Sequence, residues 1–202
     1  MKINRWDDGT FLYHYGIPGQ KWGVRRFQNF DGTYTEEGKK RKRQITFISG
    51  SSKTQDTSSE YYRKTLPKEI QKEIDKCIKR GDKILVGDAP GIDRQVQDYL
   101  ARQKYKRVEV YSPGTTARYL ANSNWRSRLV DAPEFEVGSK EWLAKKDIAM
   151  SKAATRGLAV VLENGGAGAT RKNVERLLND NKDVKVYELH NNKHDDQWIK
   201  FK

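Results

Sequence analysis

The chain has 202 residues, 40 Lys+Arg against 27 Asp+Glu, a formal charge of +13 and one cysteine. That length fits one ordinary α/β domain plus an appendage, or two very small domains. The lone Cys77 excludes an intrachain disulfide and cysteine-rich zinc clusters, and the opening MKINRWDDGT has no apolar segment for a signal peptide or membrane span, so a soluble protein of a reducing cytosol is expected.

Residues 1–43 show no helical or strand period. The stretch HYGIPGQKWGVRRFQNFDGTYTEEGKKRK, residues 14–42, holds five aromatics and five glycines and runs into the basic block Lys39–Arg43. It reads as an irregular extension, with Asp31-Gly32 as a turn. After Arg43 the pattern changes. QITFISG, KILVGDAPG, RVEVYSPG, GLAVVLENGG and VKVYELH are short β-branched runs, mostly closed by glycine. Between them lie helical patterns. PKEIQKEIDKCIKRG aligns Ile70, Ile74, Cys77 and Ile78 on one face, between Pro67 and Gly81 as start and stop signals. IDRQVQDYLA aligns Ile92, Val96, Tyr99 and Leu100, SKEWLAKKDIAMSKAA points Trp142, Leu143, Ala149 and Met150 inward, and TRKNVERLLND does so with Val174, Leu177 and Leu178. Strands alternating with helices imply parallel pairing, and the continuously apolar ILV and LAVVL suit strands covered on both faces. Residues 44–190 therefore read as an α/β, Rossmann-like doubly wound sheet of about five parallel strands, followed by a polar tail, residues 191–202. Residues 112–140 are less regular and read as an excursion over the ligand edge, with Arg118 as its candidate ligand contact.

In such sheets ligands bind beyond the carboxyl ends of the strands. There the sequence places SGSS, with Gly50, Ser51 and Ser52. GDAPGIDR, residues 87–94, contributes Gly87, Asp88, Gly91, Asp93 and Arg94, its glycines admitting a tight turn into a helix whose first amides suit an anion. NGGAGATRKN contributes Gly165, Gly166, Gly168 and Thr170. It is neither a dinucleotide G-x-G-x-x-G placed after the first strand nor a Walker loop, since no G-K-[ST] closes it. Asp93, Asp147 and Glu175 are the candidates for acid–base or nucleophilic work. No metal site is expected: His190 and His194 fall beside or in the polar tail and form no ligand cluster. The basic excess points to anionic partners, yet residues 1–43 carry ten cations and five anions and the rest thirty and twenty-two. So dispersed an excess ranks nucleic acid behind a nucleotide as the main partner.

The succession ISGSS, ILVGDAPGIDRQVQDYL, VEVYSPG, KKDIAMSKAATRGLAVV, NGGAGATRKNVERLL, VKVYEL resembles the SLOG superfamily over residues 44–190. These are Rossmann-like domains related to the DNA-uptake protein DprA, the LOG nucleotide hydrolases and the YspA-like group. The resemblance implies a nucleotide or nucleotide derivative held by Gly50, Ser51, Gly87, Gly91, Asp93 and residues 165–170. LOG hydrolases carry P-G-G-x-G-T-x-x-E. Here Asn164 stands for the proline and Lys172 for the catalytic glutamate, with Glu175 one turn further. The departure favours binding over N-glycosidic hydrolysis. KKD with Asp147 and Met150 fits the YspA-like pattern, which implies that Asp147 faces the ligand.

The segment from His14 to Gly38 resembles an element found near the start of many phage- and prophage-encoded proteins, H-x-G-x-x-G-x-K-W-G-x-R-R-[YF]-Q-N-x-D-G-T-x-T-x-x-G. This implies a protein of the cytoplasm of a bacterial host, or one associated with the virion. Tyr15, Trp22, Phe27, Arg25 and Arg26 suit anchors for a phage structural protein through residues 14–38. Three functions follow: a nucleotide-derivative binder that senses or sequesters a host signal, a phosphoribohydrolase-like N-glycosidase, and a virion-associated interaction module. Self-association into a homo-oligomer stays open.

Overall fold

The structure, a computed structural model, describes residues 44–163 and 168–201, together with residues 35 and 38. The chain divides into two compact units, Met1–Lys42 and Arg43–Lys202. In the first, the Gly38 N–H donates to Thr35 Oγ1 at 3.0 Å; the rest of the element from His14 to Gly38 lies outside the described residues.

The second unit runs β1 (Ile45–Gly50), a 3-10 turn (Ser52–Gln55), α1 (Lys68–Arg80), β2 (Lys83–Gly87), α2 (Ile92–Arg102), β3 (Val108–Pro113) and β4 (Arg126–Val130). It continues through α3 (Lys140–Ala153), β5 (Arg156–Leu162), α4 (Ala169–Asn179), β6 (Asp183–Leu189) and β7 (Gln197–Ile199). Sheet order is β4-β3-β2-β1-β5-β6-β7. Strands β1 to β6 pair in parallel and β7 is antiparallel to β6.

Side chains alternate between the two faces of a pleated strand, and here they divide the core. Ile48, Val86, Val110 and Val160 pack with Ile70, Ile74, Cys77, Val96 and Leu100 of α1 and α2. Their neighbours Phe47, Leu85 and Tyr111 pack on the other face with Met150 of α3 and Leu177 of α4. Helix α1 begins after Pro67 and ends at Gly81 in the left-handed region, φ 73°, whose N–H donates to the Cys77 and Ile78 carbonyls. The Cys77 thiol is buried, forms no disulfide and accepts a hydrogen bond from Arg80 at 3.2 Å, and burial pushes its pKa up.

The expected architecture is present, with a larger sheet. Two strands, β4 and β7, exceed the expected five. The first lies in the stretch read as an excursion, because its RSRLV is almost wholly exposed and carries no apolar period. The second lies in the stretch read as a tail. That tail is anchored: the Arg63 guanidinium pairs with Asp196 at 2.8 Å, both side chains buried, and also donates to the His190 carbonyl at 2.6 Å. Arg63 in turn donates its backbone N–H to the Thr54 carbonyl and accepts from Gln95 Nε2. Two helical faces also differ. Leu178 is 39% exposed, and the fully buried positions of α3 include Lys146 and Asp147, while Trp142 and Leu143 are half-buried. Among the described residues no helix is long and apolar enough to cross a membrane.

Candidate functional site

Strand order reverses between β1 and β5: the chain winds outward through β2, β3 and β4, then crosses back to β5 on the other side of β1. The carboxyl ends of these two strands diverge toward different connections and leave a crevice. A cavity of about 550 Å³ occupies it. Its walls come from the end of β1 and the following turn (Phe47, Ser49, Gly50, Ser51, Ser52, Lys53), from the β2–α2 connection (Ala89, Pro90, Asp93), and from Arg118. Across it stand Leu143, Lys146 and Asp147 of α3, Val161 and Leu162 of β5, and Gly168 with Ala169, Thr170, Arg171 and Asn173 of α4.

Of the residues chosen from sequence, Gly50, Ser51, Ser52, Asp93, Arg118, Asp147, Gly168 and Thr170 line this cavity. Gly165 and Gly166 lie outside the described residues. Gly87, Asp88, Gly91 and Arg94 do not line it and serve other ends. A Cβ on Gly87 would stand 2.2 Å from Asp93 Oδ2 and 2.8 Å from Lys146 Nζ, so this glycine makes room for both side chains. Gly91, at φ 84°, lies so close to the 51–52 backbone that a Cβ would come within 2.3 Å of the Ser51 carbonyl oxygen. Its N–H donates to Gln55 Oε1, and that of Ile92 to the Ser51 carbonyl, so the first amides of α2 are partly used by the protein. Asp88 is buried and takes two bonds from the Arg118 guanidinium, at 2.6 and 3.0 Å, plus one from its backbone N–H. Burial disfavours the Asp88 carboxylate, but these bonds prevail and hold its pKa below the ordinary value. Arg94 is exposed and lies over the Tyr119 ring. Glu175 lies on the exposed side of α4 and is not part of the lining.

The residue that sequence reasoning passed over is Lys146. Its ammonium is buried, 2.6 Å from Asp147 Oδ1 and 4.0 Å from Asp93 Oδ2. Burial works against this charge, and Asp147 and Asp93 outweigh it and raise its pKa. Asp93 moves the other way for a carboxyl. Burial pushes it up to about 7, only partly opposed by Lys146 and helped by Asp147. Lys146 is therefore committed to Asp147, the nearer partner, and Asp93 keeps a proton near neutrality. The KKD triplet held the signal: two adjacent buried positions facing a ligand edge must both be polar if they line a polar cavity.

Helix α4 opens at Gly168 without a side-chain cap or an acidic residue in its first turn. Its first amides and Thr170 face the crevice with Arg171, which also bonds Glu188 at 3.4 Å. Lys53 and Ser51 stand on the opposite wall. Phe47, Leu143, Val161 and Leu162 supply apolar surface. Among the described residues no group of three or more His, Cys, Asp or Glu is placed to hold a metal ion.

A family of unknown function (DUF7211) matches residues 8–29. The match lies wholly in the first unit, before β1, and overlaps the element read from His14 onward. No curated protein and no solved structure matches this chain.

Proposed function

We propose that the second unit binds a nucleotide or nucleotide derivative in this cavity, as a phage- or prophage-encoded protein that senses or sequesters such a molecule. The observation that carries the reading is the arrangement at the switch point. The first turn of α4, which has no side-chain cap, suits a phosphate group together with Thr170 and Arg171. The buried Asp93 and Asp147 suit sugar hydroxyls, and Phe47 and Leu143 suit the flat face of a base. The resemblance of residues 44–190 to SLOG domains and of residues 14–38 to the phage element supports it, as does Lys172 at the LOG glutamate position. The test is native mass spectrometry and calorimetry of the purified protein with nucleoside mono- and diphosphates, dinucleotides, ADP-ribose and cyclic nucleotides. Binding that Lys146→Ala abolishes supports the reading, and no binding across the panel removes it.

Asp93 favours a second reading, cleavage of an N-glycosidic bond in the same ligand. A buried carboxyl that titrates near 7 can protonate a leaving base while water supplies hydroxyl to the sugar carbon. Release of free base, lost in Asp93→Asn while binding persists, would establish it. Binding without release leaves the binder.

A further inference from the structure

The amino-terminal edge of the sheet, opposite the cavity, carries a second charged feature. Tyr105, in the turn between α2 and β3, is its hub. Its hydroxyl donates to the Asp82 carbonyl, next to Lys83, and its own carbonyl accepts from Trp125 Nε1 at 2.8 Å, next to Arg126. Trp125 is buried, so this junction is fixed. Lys104 and Lys106 flank Tyr105, and Arg107 accepts the Ile84 N–H on its carbonyl. Five cations from three chain segments thus meet at one corner.

A sixth cation joins through a buried carboxylate. Glu109 is fully buried on β3, opposite Arg126 in register, and pairs with Lys83, Arg126 (3.6 Å) and Arg128 (3.9 Å). Neither of its oxygens has a geometrically regular hydrogen bond. Among the described residues it is the one carboxylate that pairs with any of the six. The corner therefore carries five positive charges in excess. Lys104 sits at φ 52°, in the left-handed region after α2 where glycine is preferred, so the lysine is held there against backbone preference. The same bias runs through the unit. Glu73, Asp82, Asp88, Asp93, Glu109 and Asp147 are buried, against Arg63 and Lys146 among the cations.

We propose that this corner docks the phosphate backbone of a nucleic acid, without reading its bases. Arg126 and Arg128 project from the same face of β4, about 6.7 Å apart along the strand, a separation that suits neighbouring phosphates of one strand. Guanidinium groups hold phosphates in two-bond geometry. Lys104 and Lys106, both exposed, continue the line at the adjacent turn.

The test is fluorescence anisotropy of the full chain with a labelled 20-nucleotide single strand across a salt series. Log affinity against log salt has a slope of about −0.7 per phosphate neutralised. Arg126→Ala/Arg128→Ala is expected to make that slope shallower by about 1.4 and to weaken binding at least about 10-fold at low salt. Because those changes leave Glu109 with fewer partners, Lys104→Glu/Lys106→Glu provides the second variant, and the same direction is expected. A slope unchanged in both variants overturns the proposal. So does a slope that falls only with Lys53→Ala/Arg171→Ala, which puts the strand in the cavity. Binding to anionic vesicles with none to the oligonucleotide overturns it as well. Nucleotide binding in the cavity is expected to be the same in the corner variants, so failure here leaves the cavity reading untouched.

Discussion

Replacing Asp93 by asparagine should stabilise the protein, and by an amount that depends on pH. The carboxyl is buried beside Gly87 and Lys146, and burial lifts its pKa from 3.8 to about 7. Below pH 4 it is protonated folded or unfolded, and contributes no slope. Between about pH 4 and 7 the folded chain holds a proton that the unfolded chain has released, so stability falls as pH rises. Above pH 7 both states are ionised and the deficit is constant. At about 1.4 kcal/mol per pH unit, the rise amounts to about 4 kcal/mol at most. Asparagine keeps the shape and cannot ionise. Urea unfolding of both proteins at pH 4.5, 6 and 8 should give similar stabilities at the lowest pH, and an advantage for Asp93→Asn of up to about 4 kcal/mol at the highest. Parallel pH profiles would refute the reasoning, and so would a variant less stable than the parent at pH 8.

Gly91→Ala should cost at least about 2 kcal/mol in urea unfolding, because its φ is 84° and the new Cβ meets the Ser51 carbonyl oxygen at 2.3 Å. Arg118→Ala should cost about 2 kcal/mol at pH 7, a buried-pair loss reduced for the partly exposed arginine, by stranding the buried Asp88. The Asp88 pKa is held down in the fold, so that contribution is present above pH 3.8 and disappears as pH falls through the folded value. Thermal melts at pH 7 and pH 3 should thus show a gap that closes in acid. A fragment of residues 44–202 should melt within a few degrees of the full chain, since residues 1–42 and 43–202 are separate compact units. An insoluble fragment would mean that the first unit covers part of the second.

The sequence disclosed the fold where one physical pattern acted alone. Ile70, Ile74 and Cys77 recur at helical spacing and are buried, and the apolar runs of β2 and β5 are covered on both faces. Reading failed at the sheet edges. An edge strand has a solvated side, so RSRLV and QWI carry no hydrophobic alternation that distinguishes them from loops. Turn chemistry pointed to Gly50, Ser51, Asp93 and Thr170, which line the cavity, although Gly50 also makes room for the Ile92 side chain. The contribution of Lys146 was hidden, since a lysine on a helix normally faces water. The glycine-rich β2–α2 turn suggested ligand contact at Gly87 and Gly91. Close packing is an equal demand for glycine, and that demand explains both positions.

The Arg63–Asp196 pair makes one wall of the cavity depend on a residue far along the chain. Ser51, Ser52 and Lys53 belong to the cavity wall, and their turn is tied through Thr54 to Arg63. The partner that fixes Arg63 lies 133 residues later. A change at Asp196 should therefore reach the turn that carries Ser51, Ser52 and Lys53, although Asp196 contributes nothing to the cavity lining. Closing so long a loop is entropically slow to pay back. The contact is therefore expected among the last to form as the unit folds, and the turn that carries Ser51 among the last parts to be fixed.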